Sequence, residues 1–323
     1  MAIRAGMMAI STAATMWRLL CNDWSCKNLG RIMQEPADSI EDPAVQGLVF
    51  RALTQQDLPQ AWGLSQAARW PHRLQDWQFI YPLGKGIAVC DGDQLIGVAM
   101  HWDFTSCATF GMIIVAEEYR GRGIASRLVA AMLNDKTAPA ALLHATPHGA
   151  GVYARHGFQA VGQISQHQGV AIDNQQEALL PGWTLRPATR DDLDVLVDLD
   201  QRASGLSRRA LIQALLEQGQ GAVLQEHGET IGFSMLRDFG RGESIGPVVA
   251  IDEKAARVLI AHWLSVCAGR FVRIDIPPEI GLAGWLATAG LVRVDTGTRM
   301  VCGAPVEGDG KIQAFALVAQ ALG

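Results

Sequence analysis

The residues best suited to chemistry in this 323-residue chain lie in one short stretch. Phe110-Gly111-Met112-Ile113-Ile114-Val115 reads as a buried strand. After a turn over Ala116 to Tyr119 comes Arg120-Gly121-Arg122-Gly123-Ile124-Ala125. That run opens a helix whose Ile124, Leu128, Ala131 and Met132 share one face. Strand, glycine loop and helix start make a physical anion site. Glycines let backbone amides approach a ligand with no Cβ in the way. The first amides of a helix lack intrahelical partners and point outward, and the helix dipole adds partial positive charge. With Arg120 and Arg122 as further cations, a pyrophosphate is the natural ligand. The same residues would also suit a tight turn with two surface arginines. The loop lacks the Gly-Lys-Ser/Thr ending of a nucleoside-triphosphate loop and is not the Gly-x-Gly-x-x-Gly of a dinucleotide fold.

A second element follows at Tyr153-Ala154-Arg155-His156-Gly157-Phe158, which ends one helix and opens a strand, with Gly157 suited to the helix C-cap. By itself Tyr153 reads as a core-edge aromatic whose hydroxyl needs a partner.

The elements that position these residues are legible because the chain repeats. Leu48-Val49-Phe50-Arg51-Ala52-Leu53-Thr54 before Asp57-Leu58 matches Trp183-Thr184-Leu185-Arg186-Pro187-Ala188-Thr189 before Asp192-Leu193. Thr54 and Thr189 are expected to cap helices, their side-chain oxygens accepting from first-turn amides. Gly86 to Val89, Asp91-Gly92-Asp93 and Leu95 to Met100 match Gly221 to Leu224, His227-Gly228-Glu229 and Thr230 to Met235 as strand, tight turn, strand. Each copy reads as β, two helices, β-hairpin, β, helix, β, helix, β. The expected fold is α/β (α+β), with a poorly ordered extension over 1–46, a first domain over 47–172 and a second over 181–323. Met33 is an alternative start, and Pro181-Gly182 closes the join.

The Arg-Gly-x-Gly-Ile-Ala loop after Val115 and the Tyr-x-x-x-Gly-Phe element resemble the signatures of the GNAT superfamily of N-acetyltransferases. The resemblance spans the first copy. It implies two tandem GNAT acyl-CoA N-acyltransferase folds, each a mixed central sheet flanked by helices. It also implies acetyl-CoA as co-substrate, no metal, and direct attack of an amine on the thioester. The diphosphate would lie on Arg120, Gly121, Arg122, Gly123, Ile124 and Ala125. The pantetheine arm would pair with Ile113, Ile114 and Val115 by strand addition. Thr146 stands where the family often has a cofactor-binding asparagine, and Glu117 replaces a customary proline. Tyr153 would protonate the leaving thiolate, and Glu117, His101, Asp103 or His144 would take the amine's proton. The family's variable two-helix region, here with Arg73 and Trp77, would shape a pocket for a small amine bearing a carboxylate, with His101 and Asp103 as further contacts. Asp200, Arg208 and Arg237 are further candidates. A non-catalytic sensor of acyl-CoA or an amine is the other reading.

The second copy has lost both elements. Gly246 to Ala250 aligns with Met112 to Ala116, but Ile251-Asp252-Glu253-Lys254-Ala255 follows without glycine. Asp252 is a good N-cap and sets a carboxylate where a pyrophosphate would lie. Leu286 takes the place of Tyr153. This copy is expected to be a degenerate GNAT-like domain.

Composition sets the outer bounds. A formal net charge of -5 argues against nucleic acid as a partner. No run reaches the roughly 18 apolar residues of a membrane span. Six scattered cysteines without a Cys-x-x-Cys pair suit reduced thiols in a cytoplasmic protein. A small-molecule amine is the expected partner, on a monomer or homodimer.

Overall fold

The computed structural model describes residues 45–173 and 177–323. Apart from its last two residues, the expected N-terminal extension lies outside the described residues, as do Met33 and the cysteines at 21 and 26.

Both copies start from the same polar knot. Asp57 accepts both Nη groups of Arg51 at 2.7 Å, the Thr54 amide at 2.8 Å and the Thr54 hydroxyl at 2.7 Å. Asp192 does the same with Arg186, at 2.9 and 2.6 Å, and with Thr189, at 2.7 and 3.0 Å. Each threonine stands at its helix entry as expected, but its hydroxyl donates to the aspartate. The neighbouring guanidinium, first of all through hydrogen bonding, holds both carboxyls down to about 2.

In the first half the elements are β1 (Leu48–Ala52), α1 (Leu58–Ala67), α2 (Leu74–Ile80), β2 (Lys85–Asp91), β3 (Gln94–Phe104), β4 (Cys107–Val115), α3 (Ile124–Asp135), β5 (Ala140–Ala145), α4 (Ala150–Arg155) and β6 (Gln159–Val170). The second half repeats them as β7 (Trp183–Pro187), α5 (Leu193–Ser204), α6 (Arg209–Gln218), β8 (Gln220–Glu226), β9 (Glu229–Phe239), β10 (Gly242–Ala250), α7 (Glu253–Val266), β11 (Phe271–Ile276), α8 (Ala283–Thr288) and β12 (Val292–Cys302). It then adds β13 (Gln313–Ala316). The expected order of elements is present in both copies, with β13 as the addition.

All thirteen strands belong to one mixed sheet, in the order β1-β2-β3-β4-β5-β12-β6-β11-β10-β9-β8-β7, with β13 beside β10. The order reads the same from either end if the halves are exchanged, and in each half the last full strand lies beside the other half's fifth: β12 beside β5 and β6 beside β11. β12 runs antiparallel to β5, from Thr298 opposite Ala145 to Cys302 opposite Ala141. β6 runs antiparallel to β11, from Phe271 opposite Val170 to Ile276 opposite Ser165. The halves are thus interleaved through their last full strands.

Two apolar cores cover the sheet. One joins the α1 and α2 side of the first half to α5 and α6 of the second, through Trp77, Trp102, Leu196, Leu211 and Phe233. The other packs α7 and α8 through Leu259, Ile260, Trp263 and Leu286. A buried tryptophan or leucine is worth on the order of 2–3 kcal/mol in area removed from water, so the first of these cores holds the halves together.

Candidate functional site

β4 is the strand on which the site is built. It pairs in parallel with β5 only from Cys107 opposite Ala140 to Phe110 opposite Leu143. Beyond Phe110 the strands part. β4 bulges there, with a register shift against β3 between Val98 and Met100, and Met112 sits at φ 55°. From Gly111 to Val115 the edge of β4 that faced β5 pairs with no strand among the described residues. Ile113, Ile114 and Val115 lie on this stretch.

The glycine loop follows. Gly121 and Gly123 adopt φ 79° and 77°, left-handed values that cost an ordinary residue roughly 1–2 kcal/mol. A Cβ at either would meet no protein atom within 4 Å, so conformation rather than crowding asks for glycine. Gly123 is the N-cap of α3, and no side chain caps that helix. Its first amides are left to a ligand. Ile124 is buried and Ala125 half-buried, so the helix is anchored by its apolar face while its N-terminus opens outward. Arg120 and Arg122 are exposed and already touch the loop. Arg120 Nε donates to the Val115 carbonyl at 3.3 Å, and Arg122 Nη2 donates to the Glu118 carbonyl at 3.3 Å.

The equivalent place in the second half is closed twice over. β10 pairs with β11 only from Glu243 to Ile245, as β4 does with β5. The open stretch is then taken by β13, whose Ala316 lies opposite Val248 and whose Ala314 and Gln313 lie opposite Val249 and Ala250. At the helix start the Asp252 carboxylate accepts the Ala255 amide at 2.8 Å. Backbone edge and helix amides, both open in the first half, are satisfied internally in the second.

Past β13 the chain returns to the first half. Residues 319–321 line a cavity of about 410 Å³ together with Phe110, Gly111, Met112, Ile113, Leu143, His144, Thr146 and Tyr153. Gly111 is glycine because a Cβ there would lie 2.5 Å from Ala321 Cβ. His144 Nδ1 bonds the Gln320 carbonyl at 2.7 Å. A carbonyl only accepts, so Nδ1 carries the proton and Nε2 keeps its lone pair. Burial pushes the His144 imidazole down to about 4 and the Tyr153 phenol up to about 12. Both are therefore neutral at neutral pH. Gly149 leaves room for the Tyr153 ring, whose edge a Cβ would approach to 2.8 Å.

The remaining candidates are dispersed. Glu117 is exposed on the turn after β4 and does not line the cavity. His101 is buried, with Nε2 bonded to Asp135 at 2.9 Å, and Asp103 accepts the Thr137 amide at 3.2 Å. Both serve the packing of α3 rather than the cavity. Trp77 is fully buried against Ser65, and Arg73 is tied to Asp76 in a separate cavity of about 200 Å³. Arg73, Trp77, His101 and Asp103, the expected acceptor contacts, do not line the main cavity. Trp70 and His72 carry the two-helix region into the main cavity instead. Asp200 and Arg208 form a buried pair at 2.6 Å, with Arg208 also donating to the Leu322 and Gly323 carbonyls. They fasten the returning segment. Arg237 is buried between Phe79 and Phe239.

Sequence reading missed β13, the returning segment and a short bond of 2.6 Å between Ser126 Oγ and His156 Nε2 that ties α3 to α4. Periodicity carries no signal for the first two, because a short strand that completes a distant sheet has no partner nearby in sequence. Among the described residues no cluster of side chains is suited to a metal ion, and no helix is long and apolar enough to cross a membrane.

Two family models, each described as an acetyltransferase (GNAT) domain, match residues 83–160 and 196–315. A curated relative, the uncharacterized N-acetyltransferase YitH of Bacillus subtilis (strain 168), is 26% identical over 220 residues, 66% of this chain and 76% of its own. A Pyrococcus horikoshii protein named as an acetyltransferase superposes with a TM-score of 0.70 at 19% identity, over 86% of this chain and 96% of that one. A GCN5-related N-acetyltransferase of Sphaerobacter thermophilus gives 0.60 at 16%, over 82% and 98%. These two structural likenesses speak to the fold.

Proposed function

Since the chain belongs to the GNAT superfamily of N-acetyltransferases, we propose that it transfers an acetyl group from acetyl-CoA to the amine of a small metabolite, at one site per chain, in its first half. The observation that carries the reading is the contrast between two equivalent places. At β4 and α3 the strand edge is open and the helix start uncapped. At β10 and α7 the same edge is paired with β13 and the helix start is capped by Asp252 at the Ala255 amide.

Acetyl-CoA brings an acyl group activated as a thioester. The chain's residues do the rest. The backbone of Ile113 to Val115 offers its free edge to an extended amide-bearing arm. The amides after Gly121 and Gly123, with Arg120 and Arg122 nearby, hold a diphosphate. Thr146 lines the main cavity, as Ile113 does. Tyr153 holds a proton on its phenol oxygen, and burial keeps it there. A phenol of that kind is suited to deliver the proton to a departing thiolate. His144 Nε2 is an uncharged acceptor in the same cavity, suited to hydrogen-bond and orient the incoming amine.

The test is calorimetric titration of acetyl-CoA into the whole chain, followed by thiol release with a panel of amines. One site per chain with amine-dependent thiol release is expected. No binding removes the acetyltransferase reading. Two sites would mean that β13 and Asp252 yield to the cofactor. Binding without turnover on any amine would leave a sensor.

A further inference from the structure

Charge is segregated along the main cavity. The end beside Tyr153 is walled by Phe110, Met112, Ile113 and Leu143, with His144 and Tyr153 both uncharged at neutral pH. The far end holds three guanidiniums, Arg69, Arg241 and Arg273. Arg69 and Arg241 are exposed and pair with no carboxylate among the described residues. Arg273 is bound to the buried Asp275 through Nε at 3.1 Å and Nη2 at 2.6 Å, which leaves Nη1 to face a ligand. Its guanidinium stacks over Phe239, 5.2 Å from the ring centre, so its direction is fixed. Asp295 is the other carboxylate that lines this end, and behind the lining, Asp76, which accepts the Gly240 amide, is set against the buried Arg237, so that pair adds no net charge. Three cations against Asp275 and Asp295 leave one positive charge in excess. His72 also lines this end; its Nδ1 is buried with no hydrogen-bond partner and its ring is kept neutral by burial, so it adds a hydrogen-bonding group and no charge.

The distance between the ends follows from the sheet. From His144 on β5 to Arg273 on β11 the floor crosses β12 and β6. Three strand spacings are roughly 14 Å, of which the arginine's own length spans a part. Resting on the acetyltransferase reading above, we propose that the acceptor is an elongated amine with a single carboxylate at its far end, several bonds from the nitrogen that reacts. The carboxylate sits on Arg273, Arg241 and Arg69. The amine lies at the uncharged end, where low polarity favours the neutral, nucleophilic form. A phosphate dianion would overshoot the single excess charge, and a diamine would set a second cation against the arginines.

Four probes decide this: 6-aminohexanoate, glycine, hexylamine and cadaverine, with acetyl-CoA saturating. The kcat/KM for 6-aminohexanoate is expected to exceed each of the others by about tenfold or more, the scale of one charge-assisted contact. Arg241→Gln and Arg69→Gln should each lower the ratio of 6-aminohexanoate to hexylamine turnover by about tenfold, mainly through KM. These exposed arginines leave Asp275 paired, so their variants keep the fold. Preference for hexylamine or cadaverine, or an unchanged ratio in both variants, overturns the proposal. Equal use of glycine overturns the length. Calorimetry of 6-aminohexanoate against hexylamine without acetyl-CoA reads the subsite separately. If that difference stands while acetyl-CoA fails to bind, the enzymatic reading falls and the carboxylate subsite remains.

Discussion

The Nδ1 proton of His144, on the fifth strand of the first half, is given to the carbonyl of Gln320, a residue 176 positions away. That bond fixes the tautomer of a ring in the first half's cavity by means of the second half's backbone. The half whose strand edge is filled therefore shapes the half whose edge is open. Ending the chain after Val318 should leave acetyl-CoA affinity within about twofold while raising the amine KM about tenfold, the scale of a buried wall lost from a binding pocket. Calorimetry and steady-state kinetics on the same preparation separate the two.

Tyr153→Phe keeps the ring and removes the proton. It is expected to lower kcat by about 10²-fold or more, the usual scale for a general acid, with the acetyl-CoA Kd unchanged. In the wild type the phenol is pushed up to about 12, so its proton is retained through pH 10, where an ordinary tyrosine is half ionised. The kcat profile from pH 7 to 11 should show no alkaline fall centred at 10.

Gly123→Ala forces a Cβ onto a residue at φ 77°. The strain, roughly 1–2 kcal/mol, falls on the loop that presents the helix amides, so acetyl-CoA should bind about tenfold more weakly. Asp252→Ala at the equivalent helix start should leave the titration at one site and cost about 1 kcal/mol of stability through the lost cap. A second site in Asp252→Ala would mean that capping, not β13, keeps that half closed.

Gly111→Ala places a methyl 2.5 Å from Ala321 Cβ and 2.9 Å from its Cα. The clash is with a backbone that is itself fastened, so the expected loss is about 1–3 kcal/mol. Thermal unfolding measures it. Because Gly111 lies one residue from the bulge at Met112, the amine KM should rise as well.

Stability should weaken on the acid side well before the carboxylates titrate. His72 and His144 are both pushed down to about 4 by burial, from an ordinary 6.5. Between those values the unfolded chain binds protons that the folded chain refuses, so stability falls as pH drops from 6.5 toward 4. Asp57 and Asp192, held near 2, contribute above 3.8 and lose that contribution only below it. Melting temperatures at pH 7, 5.5 and 4.5 should decline, and His144→Gln should flatten part of that slope.

The repeat made the fold legible. Arg51, Thr54 and Asp57 recur as Arg186, Thr189 and Asp192 because both copies need the same carboxylate-centred helix entry, and that need is local. The glycine loop was legible for the same reason: φ 79° at Gly121 and 77° at Gly123 are local demands. The acceptor side was not. Arg73 and Trp77 share a two-helix segment with Trp70 and His72, and whether a position faces the core or the cavity depends on what packs behind it. Trp77 faces Ser65 and the core, while His72 faces Phe239 of the other half, 5.2 Å between ring centres. No spacing rule within one copy contains that information. Gln320 and Arg273 were invisible in the same way, since their roles exist only once strands from both halves lie side by side.

The traded strands also govern what a lineage of such chains can discard. A copy that no longer offers an open edge would ordinarily be free to erode or disappear. Here its removal would strip β5 of its neighbour β12, leave β6 without β11, and take away the wall at 319–321. The second copy is thus bound into the architecture although its own strand edge is filled and its helix start capped. Its substitutions should be tolerated around Asp252 and Glu253 and punished along β12 and the returning segment. A deep mutational scan read by abundance and turnover would draw that boundary inside a single half.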